Sequence, residues 1–250
     1  MNETTNNKPT AVNMPRTAMV FAAGLGTRMR PVTDNLPKPL VEVGGKALID
    51  HMLDTFAEAG VPEAIVNVHY LPDMIIDHLK GRTNPAIYIS DERDLLLDQG
   101  GGIAKVLDRI GDEPFFVANT DAFWVDDVEC NLQRMARQWD PEKMDILLLL
   151  APVTGSIGVD WSGDFFMEAD GRLVRRTGNQ IAPFVYSGVA IMKPSLFRED
   201  KREKFPLSPI LFAAAERERL YGVRLDGRWL HVGTPQAIDE ANAVLARQAA

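Results

Sequence analysis

Short, wholly apolar stretches alternate along the chain with segments whose apolar residues recur every three to four positions. The first stretch, Val20-Phe21-Ala22-Ala23, is apolar throughout and ends at Gly24, which predicts a buried strand. Residues 46–59 place Leu48, Ile49, Met52, Leu53 and Phe56 on one helical face. Gly60 then offers a helix stop, and Pro62 bars continuation. Strand, helix and strand follow at 64–68, 71–79 and 86–90. An apolar run, Pro114 to Ala118, predicts another strand, residues 127–139 a helix, and the leucine-dense 145–150 a buried strand. A last apolar block at 228–235 leads into a helix through Ala246. Apolar strands separated by amphipathic helices are the pattern of parallel βαβ units, so an α/β fold is expected from Thr17 onward. No internal repeat, low-complexity block or linker divides the chain.

The chemistry gathers just after the first strand, in Gly24-Leu25-Gly26-Thr27-Arg28-Met29-Arg30-Pro31 and Leu36-Pro37-Lys38-Pro39-Leu40. Glycines let the backbone turn sharply and approach a ligand closely. Peptide N–H groups exposed in such a loop form an anion-binding nest. Thr27, Arg28, Arg30 and Lys38 add hydroxyl and cationic donors, and Pro37 and Pro39 stiffen the chain on either side of Lys38. Two commoner readings fail. The dinucleotide fingerprint needs a third glycine where Met29 stands, and a Walker loop fails because Ala47 follows Gly45-Lys46. The stretch suits a triphosphate.

Ala22-Ala23-Gly24-Leu25-Gly26-Thr27-Arg28-Met29 with Pro37-Lys38-Pro39 resembles the signature of sugar-1-phosphate nucleotidyltransferases, and the resemblance runs from Met19 to about Ala246. It implies a nucleotide-diphospho-sugar transferase fold: a Rossmann-like, mostly parallel sheet flanked by helices, with a small β-rich flap for the sugar. It also implies a nucleoside triphosphate and a sugar 1-phosphate as partners, with Mg²⁺, or Mn²⁺, as cofactor. The nucleotide would meet Ala22, Ala23, Gly24, Gly26, Thr27, Arg28 and Lys38. Arg28 would bind the pyrophosphate leaving group, and Lys38 would hold the reacting phosphates together.

A second informative stretch, Leu97-Asp98-Gln99-Gly100-Gly101-Gly102-Ile103, carries three glycines into a helical pattern. Glycine backbone can lie flat against a base or sugar. The run resembles the Gly-Gly-Gly-Ile of bacterial N-acetylmuramate-1-phosphate uridylyltransferases, which implies Gly101 and Gly102 at the nucleotide and Asp98 at the sugar. Asn119-Thr120-Asp121 stands where the family carries Asn-Gly-Asp. It implies a catalytic, Mg²⁺-anchoring Asp121 and an Asn119 that touches nucleotide and sugar, the two sharing a face if the strand stays extended. Segments around Gly163-Asp164 and Ser187 resemble those through which the family holds the sugar. Arg175 and Arg176 suit either a phosphate or a solvated strand edge.

One position departs from the family. Trp229-Leu230-His231-Val232-Gly233-Thr234 resembles its Trp-x-Asp-x-Gly-Thr segment, in which the acidic residue is the second metal ligand. His231 takes that place. Either it ligates a softer divalent ion, or it stands aside and contacts phosphate. The second is the expectation, because Mg²⁺ keeps oxygen ligands and several waters.

Composition narrows this picture little. In 250 residues with 46% hydrophobic content there is ample material for a core, and 17–250 is read as one catalytic domain behind a disordered lead-in at 1–16. A formal charge of −8 argues against nucleic-acid or membrane-surface binding. No apolar run is long enough to span a bilayer. The single cysteine, Cys130, forbids an internal disulfide and favours the cytoplasm. The expected reaction is in-line attack of a sugar 1-phosphate on the α-phosphorus, with UTP and N-acetylmuramate 1-phosphate as the first reading. Mannose with GTP, glucose with UTP or dTTP, phosphocholine with CTP, and a non-catalytic nucleotide-sugar sensor are the alternatives. Oligomeric state is not legible.

Overall fold

The computed structural model describes residues 14–198 and 203–248. In order, its first half forms β1 (Thr17–Phe21), β2 (Glu42–Val43), β3 (Lys46–Ala47), α1 (Leu48–Ala59), β4 (Glu63–Val68), α2 (Pro72–Leu79), β5 (Ala86–Asp91), α3 (Asp98–Lys105), α4 (Leu107–Ile110), β6 (Phe115–Asn119) and β7 (Ala122–Val125). The second half adds α5 (Asn131–Gln138), β8 (Ile146–Pro152), β9 (Phe165–Met167), β10 (Leu173–Arg175), β11 (Phe184–Met192), α6 (Ser195–Arg198), α7 (Ser208–Glu216), β12 (Leu220–Arg224), β13 (Arg228–His231) and α8 (Pro235–Gln248).

Strands β6, β1, β4 and β5 run parallel in that order, as short apolar strands joined through helices require. Strand β11 lies antiparallel against β6 and β8, and β12 adds a parallel partner to β8. Beyond β11 the sheet continues into the short antiparallel β9 and β10, which form the β-rich flap. Strands β7 and β13 pair separately as a two-stranded ribbon.

Alternation along each strand sends successive side chains to opposite faces. Ala18 and Val20 therefore pack with Ile49, Met52, Leu53 and Phe56 of α1 on one face, whereas Met19 joins Ile103, Val106 and Leu211 on the other. Each large apolar side chain sealed this way contributes about 1.5–3 kcal/mol. The two helical layers hold the strand ends, and so the site, in fixed register.

Three expectations change. The helix read over 127–139 begins only at Asn131. Asp226 accepts the N–H groups of Val128 and Glu129, so these residues meet their hydrogen bonds outside a helix. The glycines at 100–102 lie inside α3 rather than ahead of it. Of the lead-in expected over 1–16, residues 1–13 lie outside the described residues, while Met14 packs on the core and Pro15 is buried.

Candidate active site

The C-terminal ends of β1, β4 and β6 stand side by side, pairing Phe21 with Asn67 and with Asn119. Such ends open the crevice in which α/β sheets take ligands. Ala22, Ala23 and Gly24 leave β1 there and line a cavity of about 430 Å³ with Lys38, Asn67, Asp98, Gln99, Asn119 and Asp121. The loop is braced from behind. Asn67 accepts the Ala22 N–H through Oδ1 at 2.9 Å and donates through Nδ2 to Glu92 Oε1 at 2.9 Å. Glu92 Oε2 accepts the Leu97 N–H at 3.2 Å, which ties the glycine loop to the start of α3. Burial pushes the Glu92 carboxyl up, against the pull of these two hydrogen bonds.

Further along the loop, Gly26 has φ 64°, and a Cβ there would lie 3.2 Å from Lys38 Cβ and Thr33 Cγ2. That close approach brings Lys38 beneath the loop. Thr27 and Arg28 sit on a tight 3₁₀ turn, Thr27–Met29. Lys38 Nζ donates to Asp121 Oδ2 at 2.9 Å. Asp121 lies in the turn between β6 and β7, past the end of the extended strand, yet still beside Asn119 on the cavity wall. Burial alone would raise its carboxyl pKa. The His231 ring 3.7 Å away and the hydrogen-bonded Lys38 ammonium outweigh burial and hold it well below the usual carboxylate range.

A second cavity, of about 330 Å³, opens on the other side of Asn119 and Asp121. Arg28, Trp161, Tyr186, Ser187, Trp229 and His231 help to line it. A β-bulge between Tyr186 and Ala190 shifts the β11–β8 register where Ser187 stands. Ser187 Oγ is buried on this wall without a hydrogen-bond partner. His231 Nε2 faces Asp121 Oδ2 at 3.7 Å, and its Nδ1 is 3.0 Å from the Gly158 carbonyl oxygen. Among the described residues no cluster of three or more His, Cys, Asp or Glu that could hold a metal ion forms.

The structure thus brings Ala22, Ala23, Gly24, Arg28, Lys38, Asp98, Asn119, Asp121, Ser187 and His231 onto the two cavity walls. Others stand behind them. Gly101 and Gly102 are buried inside α3, and their Cβ directions are filled by the Glu203 carbonyl at 2.3 Å and by Glu92 Oε1 at 2.9 Å. Neither lines the cavity at the glycine loop; Gly101 borders a separate one of about 390 Å³ beside Leu97, Lys105 and Glu203. Asp164 spends one carboxylate oxygen on Trp161 Nε1 at 3.2 Å and the other on the Tyr186 N–H at 2.9 Å. It shapes the second cavity by holding two of its wall residues. Gly163 has φ 76°, packs against the Ala182 carbonyl and accepts from Arg176 Nε. Arg176 is thereby engaged with backbone, and Arg175 lies over the Phe212 ring at 3.5 Å. Thr27 and Gly26 shape the loop without lining either cavity. Three contributors were not singled out as site residues: Gln99, which donates to Asn119 Oδ1 at 2.8 Å, Glu92, and Trp161 with its contact to His231. Gln99 is the one with a sequence cue, since it directly precedes the glycine run.

The model of the family described as nucleotidyl transferase matches residues 17–156. An N-acetylmuramate alpha-1-phosphate uridylyltransferase of Caulobacter vibrioides is 48% identical over 236 residues, spanning 93% of this chain and 98% of that one. A protein of the same name from Neisseria meningitidis is 33% identical over 230 residues, spanning 91% and 97%. Among solved structures, a UDP-glucose pyrophosphorylase complexed with UDP-glucose superposes with a TM-score of 0.74, covering 94% of this chain and 100% of that chain. At 17% identity that likeness is one of fold.

Proposed function

The chain belongs to the nucleotidyl transferase family, and from that premise we propose that it transfers uridylate from UTP to N-acetylmuramate 1-phosphate, releasing pyrophosphate. A phosphate oxygen of the sugar 1-phosphate attacks the α-phosphorus in line. The bond from that phosphorus to the bridging α–β oxygen breaks, and its electron pair leaves with pyrophosphate. The nucleophile is already an anion, so no covalent enzyme intermediate is needed. Catalysis is positioning plus neutralisation of phosphates that repel one another.

The observation that carries the reading is the shared wall. One cavity begins at the glycine loop, the other is built from the flap side of β11 and from β13, and both end on Asn119 and Asp121. A triphosphate in the first and a sugar 1-phosphate in the second would meet there. Lys38 would leave Asp121 for the α-phosphate and the incoming phosphate, while Arg28 would hold the departing pyrophosphate. Backbone N–H groups at Ala23 and Gly24 would take phosphate oxygens. Ser187, buried and unpaired, would take a sugar hydroxyl or the N-acetyl group. Asp121 would anchor a divalent ion, whose positive charge offsets the phosphate charges. Residues 17–250 would act as one catalytic domain, in the cytoplasm where UTP is supplied.

The test is a panel of UTP, GTP, dTTP and CTP against N-acetylmuramate, mannose and glucose 1-phosphates, read as pyrophosphate release. UTP with N-acetylmuramate 1-phosphate is expected to give the highest kcat/KM. A higher value for GTP with mannose 1-phosphate overturns the assignment.

A further inference from the structure

We infer that His231 is itself a metal ligand through Nε2, forming with Asp121 a mixed nitrogen–oxygen site that favours Mn²⁺ and Co²⁺ over Mg²⁺. The inference rests on the nucleotidyl-transfer reading and reverses the expectation that His231 stands aside. A carbonyl oxygen only accepts hydrogen bonds, so the 3.0 Å contact between Nδ1 and Gly158 O places a proton on Nδ1. Nε2 is then the atom directed at the cavity and at Asp121. Metal-binding histidines characteristically donate their second ring N–H to a carbonyl or carboxylate in this way, which fixes both tautomer and orientation.

The ring is also clamped. Trp229 stacks on it at 5.5 Å between centroids with 6° between planes, and Trp161 meets it edge-on at 5.7 Å. A Cβ on Gly158 would lie 2.1 Å from the His231 carbonyl, and one on Gly233 would lie 2.7 Å from its Cε1. Gly233 leaves room for this ring orientation, and Gly158 for the His231 backbone, only because they are glycine. A histidine meant merely to touch phosphate would gain little from so tight a hold.

The spacing agrees. At 3.7 Å, Nε2 and Asp121 Oδ2 are too far apart to hydrogen-bond, but one ion about 2.1 Å from each donor spans the gap. Mg²⁺ demands oxygen, whereas affinity for a nitrogen donor rises from Mn²⁺ to Co²⁺. Lys38 shares the same carboxylate oxygen in the free protein, so UTP, which draws the lysine to phosphate, belongs in the test.

The experiment titrates Mn²⁺ into the protein with UTP and no sugar phosphate, and records electron spin-echo modulation from directly bound nitrogen. Modulation is expected in the wild type, and it should change when histidine carries nitrogen-15 in place of nitrogen-14. That labelling needs no mutation, and the chain has four histidines, of which His231 alone faces Asp121 among the described residues. In His231→Asp the nitrogen modulation should vanish with Mn²⁺ still bound, and the ratio of Co²⁺ to Mg²⁺ affinity should fall. Bound Mn²⁺ without histidine-derived modulation in the wild type overturns the inference, as does modulation that persists in His231→Asp. Either result leaves uridylyl transfer standing, because that reading is judged by product. Equally, nitrogen ligation with no pyrophosphate release from any substrate pair sinks the reaction and spares the ligand.

Discussion

Replacing Gly100 or Gly101 by alanine separates two uses of a glycine run that look alike in sequence. If the run cradles a base, alanine obstructs the nucleotide and leaves the folded protein sound. If it lets α3 pack, alanine strains the fold. A Cβ at Gly100 would fall 2.3 Å from two ring carbons of Phe205 and 2.9 Å from its carbonyl oxygen. At Gly101 it would fall 2.3 Å from the Glu203 carbonyl oxygen. A ring or a backbone oxygen cannot rotate away as a flexible side-chain tip can. The segment over α3 must move, and such overpacking costs about 1–3 kcal/mol.

For a chain of this size each kcal/mol lowers Tm by roughly 2–4 °C, so either variant should melt roughly 2–12 °C below the wild type. The assay is calorimetry or circular-dichroism melting beside UTP titration at a temperature where both proteins are folded. Gly101→Ala should keep its KM for UTP close to the wild-type value, because neither Gly101 nor its Cβ direction opens on the cavity. Gly100→Ala carries more risk to binding, since Gln99 beside it holds Asn119. An unchanged Tm together with a large rise in KM for UTP in Gly101→Ala refutes the packing argument.

Three further outcomes follow from the same geometry. Lys38→Met should lower turnover by about 10²–10³ while the protein stays folded, because it removes a charge poised at the reacting phosphates; near-normal pyrophosphate release would exclude that role. Ser187→Ala should raise KM for the sugar 1-phosphate roughly 2- to 10-fold with KM for UTP unchanged, and should not lower Tm, since the hydroxyl it removes is buried without a partner. An equal rise in both KM values would argue against a sugar contact. Asp121 titrates below its unfolded value, so its contribution to stability is complete above roughly pH 4 and is lost as pH falls through its folded pKa. Lys38→Met removes one of the charges holding it down, so its folded pKa moves back toward the unfolded one, and urea unfolding followed between about pH 2 and 6 should show a smaller loss of stability on acidification in the variant.

Most of what lies near the C-terminal ends of β1 and β6 was legible because the chemistry there is local in sequence. The apolar run of β1 predicts a buried strand, and the glycine loop must emerge from its end. Asp121 likewise follows two residues after β6, so a strand and a carboxylate close behind it sufficed to place the residue. The parallel order of β6, β1, β4 and β5 follows from the alternation of strand and helix. The flap was much less legible. Strands β9 and β10 have three residues each, too short for alternation to declare which face is buried. Asp164 therefore read as a sugar ligand when its two oxygens are committed to Trp161 and Tyr186.

What remained hidden has one cause: a residue's type is written in the sequence, but the direction of its bonds depends on partners far along the chain. The glycines of α3 are the plainest case. A missing Cβ permits close approach without saying to what, and the answer lies about a hundred positions away at Glu203 and Phe205. Glu92 is the same problem with the opposite sign. A carboxylate after an edge strand suggests a solvated surface, until Asn67 and Leu97 are seen to enclose it. His231 shows how far this reaches into chemistry. Substituted for the family's acidic residue, it suggests a lost ligand for as long as the protonated ring nitrogen is unknown. The atom that decides is the carbonyl oxygen of Gly158, 73 positions earlier. Once that oxygen claims Nδ1, the free lone pair can face only the carboxylate of Asp121. An apparent loss then becomes a change in the kind of ion the site prefers.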